Sequence, residues 1–210
     1  MANESLSIIL VTKDAAPFID AAVEQVQAAV QEFGARVIAI DGHSVDGTWE
    51  VLRGQRGWSV HHQREPGLAA ARNEAIALAD TSLVAFLDAD DQWLHGKLEA
   101  QLACLEAAPH TRIVSCLLRR VGPEEADTLH HALTPSGCVM RRSVFDTVGP
   151  FDTRYRLACD HAWFIRARRL GEAVEIIPRC LLHKHIHSAN LSHDRALYRR
   201  ELSEILRGDG

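Results

Sequence analysis

Four short apolar runs in the first half of the chain, each followed by a segment of helical spacing, constrain the fold more than any other feature. Leu6–Thr12, Arg36–Ile40, Trp58–Gln63 and Ser82–Leu87 read as strands. After the first run, Ile19, Ala22, Val23, Val26, Val30 and Phe33 fall on one helical face, from a start at Pro17 to a stop at Gly34. A short helix is predicted around Thr48–Arg53, an alanine-rich one over Leu68–Leu78 and a fourth over Leu94–Ala108, before a further apolar run, Arg112–Leu118. This alternation predicts an α/β fold with a mostly parallel central sheet flanked by helices. Ligands of such sheets sit outside the carboxyl ends of the strands. Three polar clusters fall there: Thr12-Lys13-Asp14, Asp41–Asp46 and Asp88–Asp91.

The second half has a different rhythm. Gly122–Pro135 reads as a loop, Ser136–Met140 as a strand, and Ser143–Val148 as a short helix stopped by Gly149-Pro150. A longer helix is predicted from Cys159 to Leu170, then two apolar runs, Ala173–Ile177 and Leu181–Ile186, and an amphipathic helix over Arg195–Leu206.

Several residue groups in this frame have the chemistry of a site. Asp88, Asp90 and Asp91 crowd three carboxylates behind a buried strand, and a divalent cation relieves their repulsion; the same turn also fits Asp90 or Asp91 as a helix cap. Asp41 ends a strand before a glycine, where it can accept hydrogen bonds from a base or ribose; Ser44 or Asp46 as a cap explains that segment equally. Arg72 lies in a helix start of small residues and can pair with a phosphate or with an acidic cluster; a surface arginine is the plainer alternative. Asp160, at a helix start, has the position of a general base or of a helix-dipole carboxylate. His183, His185 and His187 alternate, so on a strand they share a face, which admits a three-histidine zinc site; the alternative is that one of them joins a site built elsewhere.

Composition narrows the function classes. With 23 Lys+Arg against 28 Asp+Glu, the net charge of −5 argues against nucleic acid as a charge-bound partner. No apolar run reaches the roughly 20 residues of a membrane span. The polar start Met1-Ala2-Asn3-Glu4 lacks the pattern of a signal peptide, and five scattered cysteines without a C-x-x-C pair point to a reducing cytoplasm.

The order of these pieces resembles the family 2 glycosyltransferases of GT-A fold, from about Ser7 to Ser192. The matching segments are D-G-H-S-V-D-G-T (41–48), P-G-L-A-A-A-R-N (66–73), F-L-D-A-D-D (86–91), R-x-S-V-F-D-x-V-G-P-F-D (141–152), D-x-x-W-F (160–164) and H-S-A-N-L-S (187–192). The resemblance implies one catalytic domain: a nucleotide-sugar-binding half (1–110), a small acceptor-side lobe (111–192) and a C-terminal helix (193–210). It implies that Thr12, Asp41, Arg72 and Asp88 bind the donor, with Asp41 on the base and Asp88 on the ribose. Asp90 and His187 would ligate a Mn2+ or Mg2+ cofactor at the diphosphate, and Asp160 would be the base of an inverting transfer. Cys159 stands where the family commonly has an acidic residue. The expected partners are a nucleotide-sugar, UDP-linked by analogy, and a saccharide, lipid-linked or protein-linked acceptor reached from the cytoplasm. The basic C-terminal helix is expected on its own domain, on a membrane surface or in a homodimer. The rival readings are a sugar nucleotidyltransferase, which calls for a Gly-rich loop after the first strand that Val11–Ala16 lacks, and a non-catalytic nucleotide-sugar binding module.

Overall fold

Alternate residues of the first strands feed two separate cores. In the computed structural model, which describes residues 5–123, 125–187 and 194–208, strand β1 (Leu6–Thr12) sends Leu6, Ile8 and Leu10 to one face and Ile9 to the other. In β2 (Arg36–Asp41), Val37 and Ala39 face away from Ile38 and Ile40. Beyond the edge strand β3 (Ser59–His62) in sequence, β4 (Leu83–Asp88) divides Leu83, Ala85 and Leu87 from Val84 and Phe86. Strands apolar on both faces need cover on both. Helices α1 (Ile19–Phe33), α2 (Thr48–Arg53) and α4 (Lys97–Ala107) cover the Leu10 side. The Ile9 side is covered by α3 (Leu68–Leu78), α5 (Val144–Val148) and α6 (Cys159–Arg169).

The second half extends the same sheet. The remaining strands are β5 (Asp91–Trp93), β6 (Ile113–Val121), β7 (Leu129–His131), β8 (Val139–Arg141) and β9 (Val174–His185). The order is β3-β2-β1-β4-β8-β6-β9-β5, with β7 paired to β6. The pairings among β1 to β4 are parallel, as is β6 with β9, whereas β8, β7 and β5 pair antiparallel. The sheet is therefore mixed, all-parallel across the first four strands and with one further parallel pair, β6 with β9, in the second half.

Three differences from the sequence reading have physical causes. The two apolar runs at 173–186 form one strand, because the register slips opposite Cys116 and Leu117 and lets Pro178, which has no N–H to donate, sit in the irregularity. β7 lies in the stretch read as loop; its three residues are exposed and carry no apolar alternation. β5 follows the acidic turn directly, so α4 begins six residues past Asp91, capped by Gly96 at φ 79. Neither Asp90 nor Asp91 is a cap.

The last helix, α7 (Arg195–Arg207), packs on its own domain through Ile205 and Glu201, both buried. Among the described residues, no helix is long and apolar enough to cross a membrane.

Lys97 is a buried cation at the start of α4. Its Nζ donates to Gln101 Oε1 at 2.8 Å and lies 4.5 Å from the Trp93 ring centre. Burial pulls its pKa down to about 8, against the opposing pull of Cys116, Cys138 and Asp91. Between that value and the ordinary 10.5 the unfolded chain holds a proton that the folded chain has released, so stability rises with pH across this window. The stability of the wild type relative to Lys97→Met, measured by urea unfolding, is expected to increase by roughly 3 kcal/mol from neutral pH to the top of the window. A difference independent of pH would contradict the depressed value.

Candidate active site

The carboxyl ends of β1, β2 and β4 bring the candidate residues to one edge of the sheet. At the end of β2, Asp41 is fully buried. Its Oδ1 accepts from Thr12 Oγ1 at 3.2 Å and from Ser44 Oγ at 2.6 Å, and its Oδ2 accepts from Ser44 N at 2.9 Å. His62 Nδ1 lies 3.5 Å from Oδ2, and the His62 ring stacks on Trp49 at 3.5 Å and on His43 at 4.9 Å. The loop after Asp41 is pinned to the loop after β1. Asp46 accepts from Ala16 N at 2.8 Å and from Thr48 N at 3.1 Å, and these backbone hydrogen bonds help to hold its carboxyl below the usual value against the effect of burial. Thr12 and Asp41 thus shape this end of the cleft from beneath, and His62 is the more exposed group above them.

Arg72 occupies the centre. It sits one turn into α3, where the preceding Ala69, Ala70 and Ala71 let the helix pack closely on the sheet, and it is only 1% exposed. Its Nη2 donates to Asp88 Oδ1 at 2.9 Å, and its Nη1 donates to Asp160 Oδ1. Beneath it lies Phe151, 5.6 Å from the guanidinium carbon, within the aromatic cluster of Phe86, Phe145, Phe151 and Trp163. Neighbouring Asn73 exchanges two 2.8 Å hydrogen bonds with the Phe151 backbone, fixing that floor. Burial works to lower the Arg72 pKa, but the Asp160 and Asp88 carboxylates overcome it and raise it. One buried cation therefore joins Asp88, from the strand that ends in the acidic turn, to Asp160, from the first turn of α6.

Cys159, next to Asp160, is fully buried in the core and donates its Sγ–H to Asp160 Oδ1 at 3.5 Å, with its thiol pushed up to about 12 by burial and by Asp160. The cleft-facing residue of the pair is Asp160.

The acidic turn is split between two kinds of partner. Lys184, on β9 opposite Asp91, places Nζ 3.4 Å from both Asp91 oxygens and 3.7 Å from Asp88 Oδ2. Burial tends to raise the Asp88 pKa, but Arg72 and Lys184 hold it below the usual range. Asp91, more deeply buried, is pushed up to about 7 by burial, with Lys184 pulling the other way. Asp90 faces the cleft instead. Its Oδ2 lies 3.1 Å from His187 Nε2, the two side chains are 23% and 25% exposed, and the His187 ring stacks on Phe18 at 4.7 Å. His185 Nδ1 is 2.8 Å from the Asp90 backbone oxygen.

A carboxylate and an imidazole at this separation, both open to the cleft, suit Mn2+ or Mg2+ held partly by phosphate oxygens and water. A protein-only metal cage is not formed: among the described residues no three His, Cys, Asp or Glu side chains are placed to share an ion. The three-histidine zinc arrangement is thereby corrected. His185 is turned to backbone and His183 sits opposite Gln92 on β5. Residues 188–192 of the H-S-A-N-L-S segment, and His193, lie outside the described residues.

The structure therefore gathers Arg72, Asp88, Asp90, Asp160 and His187 into one cleft, with Thr12 and Asp41 at its end. The sequence reading missed Lys184 and His62. Lys184 had a signal, since strand alternation puts it on the face opposite His183 and His185; His62 had none, because only the sheet brings β3 beside Asp41.

The glycosyl transferase family 2 profile matches residues 7–205. The chain belongs to glycosyl transferase family 2. Over 183 residues it is 27% identical to a PGL/p-HBAD biosynthesis glycosyltransferase of Mycobacterium bovis, covering 79% of this chain and 70% of that protein. A putative teichuronic acid biosynthesis glycosyltransferase of Bacillus subtilis, TuaG, is 41% identical over 71 residues, which cover 31% of this chain and 28% of TuaG. The chain thus aligns to little over a quarter of that relative. Among solved structures, S. aureus TarS 1-349 in complex with UDP superposes with a TM-score of 0.74 at 16% identity, covering 95% of this chain and 71% of the other. The mannosyltransferase PcManGT of Pyrobaculum calidifontis, in complex with GDP-Man and Mn2+, gives a TM-score of 0.74 at 19% identity, covering 98% and 64%. The family 2 chain shares their α/β fold.

Removing Arg72 takes from Asp160 its guanidinium partner and leaves Asp88 to Lys184. Arg72→Met is expected to lower the unfolding free energy by roughly 3–5 kcal/mol in urea titrations, the cost of breaking a buried pair on one side. Arg72→Lys should recover less than half of that, because a single ammonium cannot reproduce a planar fork that reaches two carboxylates. Full recovery by lysine would show that charge alone, and not the bridge, matters.

Proposed function

We propose that this chain is the catalytic domain of an inverting, metal-dependent glycosyltransferase. It moves one sugar from a nucleoside-diphosphate sugar, UDP-linked, to an acceptor hydroxyl in polysaccharide or glycoconjugate synthesis. The observation that carries this reading is the Arg72 bridge. It sets a donor-side carboxylate, Asp88, and an acceptor-side carboxylate, Asp160, on one buried cation beside the Asp90–His187 pair. The names of similar proteins support the substrate class: one in Escherichia coli, 30% identical over 106 residues, is a UDP-Glc:alpha-D-GlcNAc-diphosphoundecaprenol beta-1,3-glucosyltransferase. Five unpaired cysteines fit the reducing cytoplasm as its compartment.

The donor lies along the strand ends, with its diphosphate at Asp90 and His187 and its ribose at Asp88. The base reaches the His62 end, where Asp41, held from below by Thr12, fixes His62 and the loop at 42–48. Asp90 and His187 would hold a divalent cation, which when bound would supply positive charge to offset the charge growing on the departing diphosphate. Asp160 takes the proton of the acceptor hydroxyl through Oδ2, since Arg72 holds Oδ1. The acceptor oxygen forms its bond to the anomeric carbon as the bond to the diphosphate oxygen breaks, and that oxygen keeps the electron pair. A single displacement from the opposite face inverts the configuration. Residues 1–110 carry the donor and 111–192 the acceptor on this reading, with the C-terminal helix (193–210) as a support and not a binding element.

The test uses UDP release from a panel of UDP-sugars in Mn2+, with calorimetric binding of UDP and Mn2+ alongside. The wild type should turn over at least one UDP-sugar. Asp160→Asn should lose about 100-fold or more in turnover, the low end of a general base's contribution, while UDP affinity stays within about threefold. Turnover unchanged in Asp160→Asn would remove Asp160 as the base.

A further inference from the structure

The first turn of α6 carries Asp160 but has no cap of its own. Its N-cap residue is Ala158, which has no side-chain acceptor to make a cap hydrogen bond. The backbone that leads into that turn, through its N-cap residue, is held from another element. Glu201, in the middle of α7 and 5% exposed, accepts from Arg156 N at 2.9 Å, Leu157 N at 2.9 Å and Ala158 N at 2.8 Å. Its two oxygens take the N–H of the N-cap residue and those of the two residues before it, beside the positive end of the helix, where a carboxylate is favoured by both hydrogen bonding and the dipole. The same helix places Tyr198 Oη 3.2 Å from His161 Nδ1, the residue after Asp160.

From this geometry we infer that Glu201 is a positioning residue for the transfer step, and that α7 is the clamp of the base-bearing turn. The inference rests on Asp160 being the base. Without Glu201, the N–H groups of Arg156, Leu157 and Ala158 lose their acceptor, and Asp160, a carboxylate two residues past Ala158, is able to turn back toward them. A carboxylate that swings to its own helix end leaves Arg72 and the acceptor. Donor binding, which uses β1, β2, β4 and the Asp90–His187 pair, does not depend on that turn. Glu201 should therefore act on turnover and leave the nucleotide site as it is. An ordinary buried carboxylate of purely structural value would lower the unfolding temperature and leave turnover of the folded protein unchanged.

The experiment takes the UDP-sugar that the wild type turns over fastest and compares Glu201→Ala and Glu201→Gln at a temperature where both are folded. Glu201→Ala is expected to lose about 20-fold or more in kcat, as for a misplacement of a catalytic group, with the donor KM and the calorimetric Kd for UDP and Mn2+ within about threefold. Glu201→Gln keeps one carbonyl acceptor and should lose less than about fivefold. Amide hydrogen exchange at Arg156, Leu157 and Ala158 should quicken in both variants, more in alanine. A kcat for Glu201→Ala within about twofold of the wild type, or a matched fall in UDP affinity, would overturn the inference. If Glu201→Ala does not fold, wild-type exchange rates at those three amides in Glu201→Gln would do so. Asp160→Asn in the same assay separates the two levels. Should it retain turnover, the base assignment fails; should it be inactive while Glu201→Ala turns over normally, only the role of Glu201 fails.

Discussion

The cleft depends on one guanidinium. Asp88 and Asp160 come from elements 72 residues apart in sequence, and two carboxylates brought together at a sheet edge repel. Arg72 resolves this by standing between them with one nitrogen on each, buried over Phe151. A point charge would relieve the repulsion, but a planar fork also fixes the direction of both carboxylates. The surrounding sequence serves that placement. Small residues before Arg72 bring α3 down onto the sheet, Asn73 ties the Phe151 loop to the same helix, and the aromatic cluster supplies a floor without competing donors.

Around this pair the charges fall into a definite order. Lys184 takes Asp91 and shares Asp88, so two members of the acidic turn are already balanced by protein cations, and Asp90 is the one turned to the cleft beside His187. This division explains how three adjacent carboxylates coexist, and it selects which of them is available to a divalent ion and a diphosphate. The charge of the whole chain follows the same plan. Residues 1–110 hold 7 Lys+Arg against 16 Asp+Glu, whereas 111–210 hold 16 against 12. On the proposed function, the acidic first half would need a cation before it could receive an anionic nucleotide, and the basic second half supplies Lys184 and the many arginines of the later helices.

The sequence made the parallel half of the fold legible because two-sided apolar strands and helical spacing are local patterns. The limits of β1, α2 and α3 fall where the residue pattern places them. What escaped is what depends on partners far along the chain. β5 is three residues long and exists only because β9 pairs with it, and β9 itself is divided in the sequence by Pro178, which a register slip accommodates. The site divides in the same way. Asp88, Asp90, Arg72, Asp160 and His187 sit in motifs that can be read one by one, and the structure brings them together. Lys184, His62 and Glu201 carry no motif, since each acts through a residue contributed by another element: Asp91, Asp41 and the Arg156–Ala158 backbone. Asp41 was legible as a residue but not as a buried one.

Anomalous diffraction at the manganese edge, from crystals soaked with UDP and Mn2+, tests this arrangement most directly. The expected result is one manganese peak between Asp90 and His187, with Arg72 still joining Asp88 to Asp160. A peak coordinated by Asp88 and Asp91, or a complex in which Arg72 has left Asp160 for the diphosphate, would contradict it.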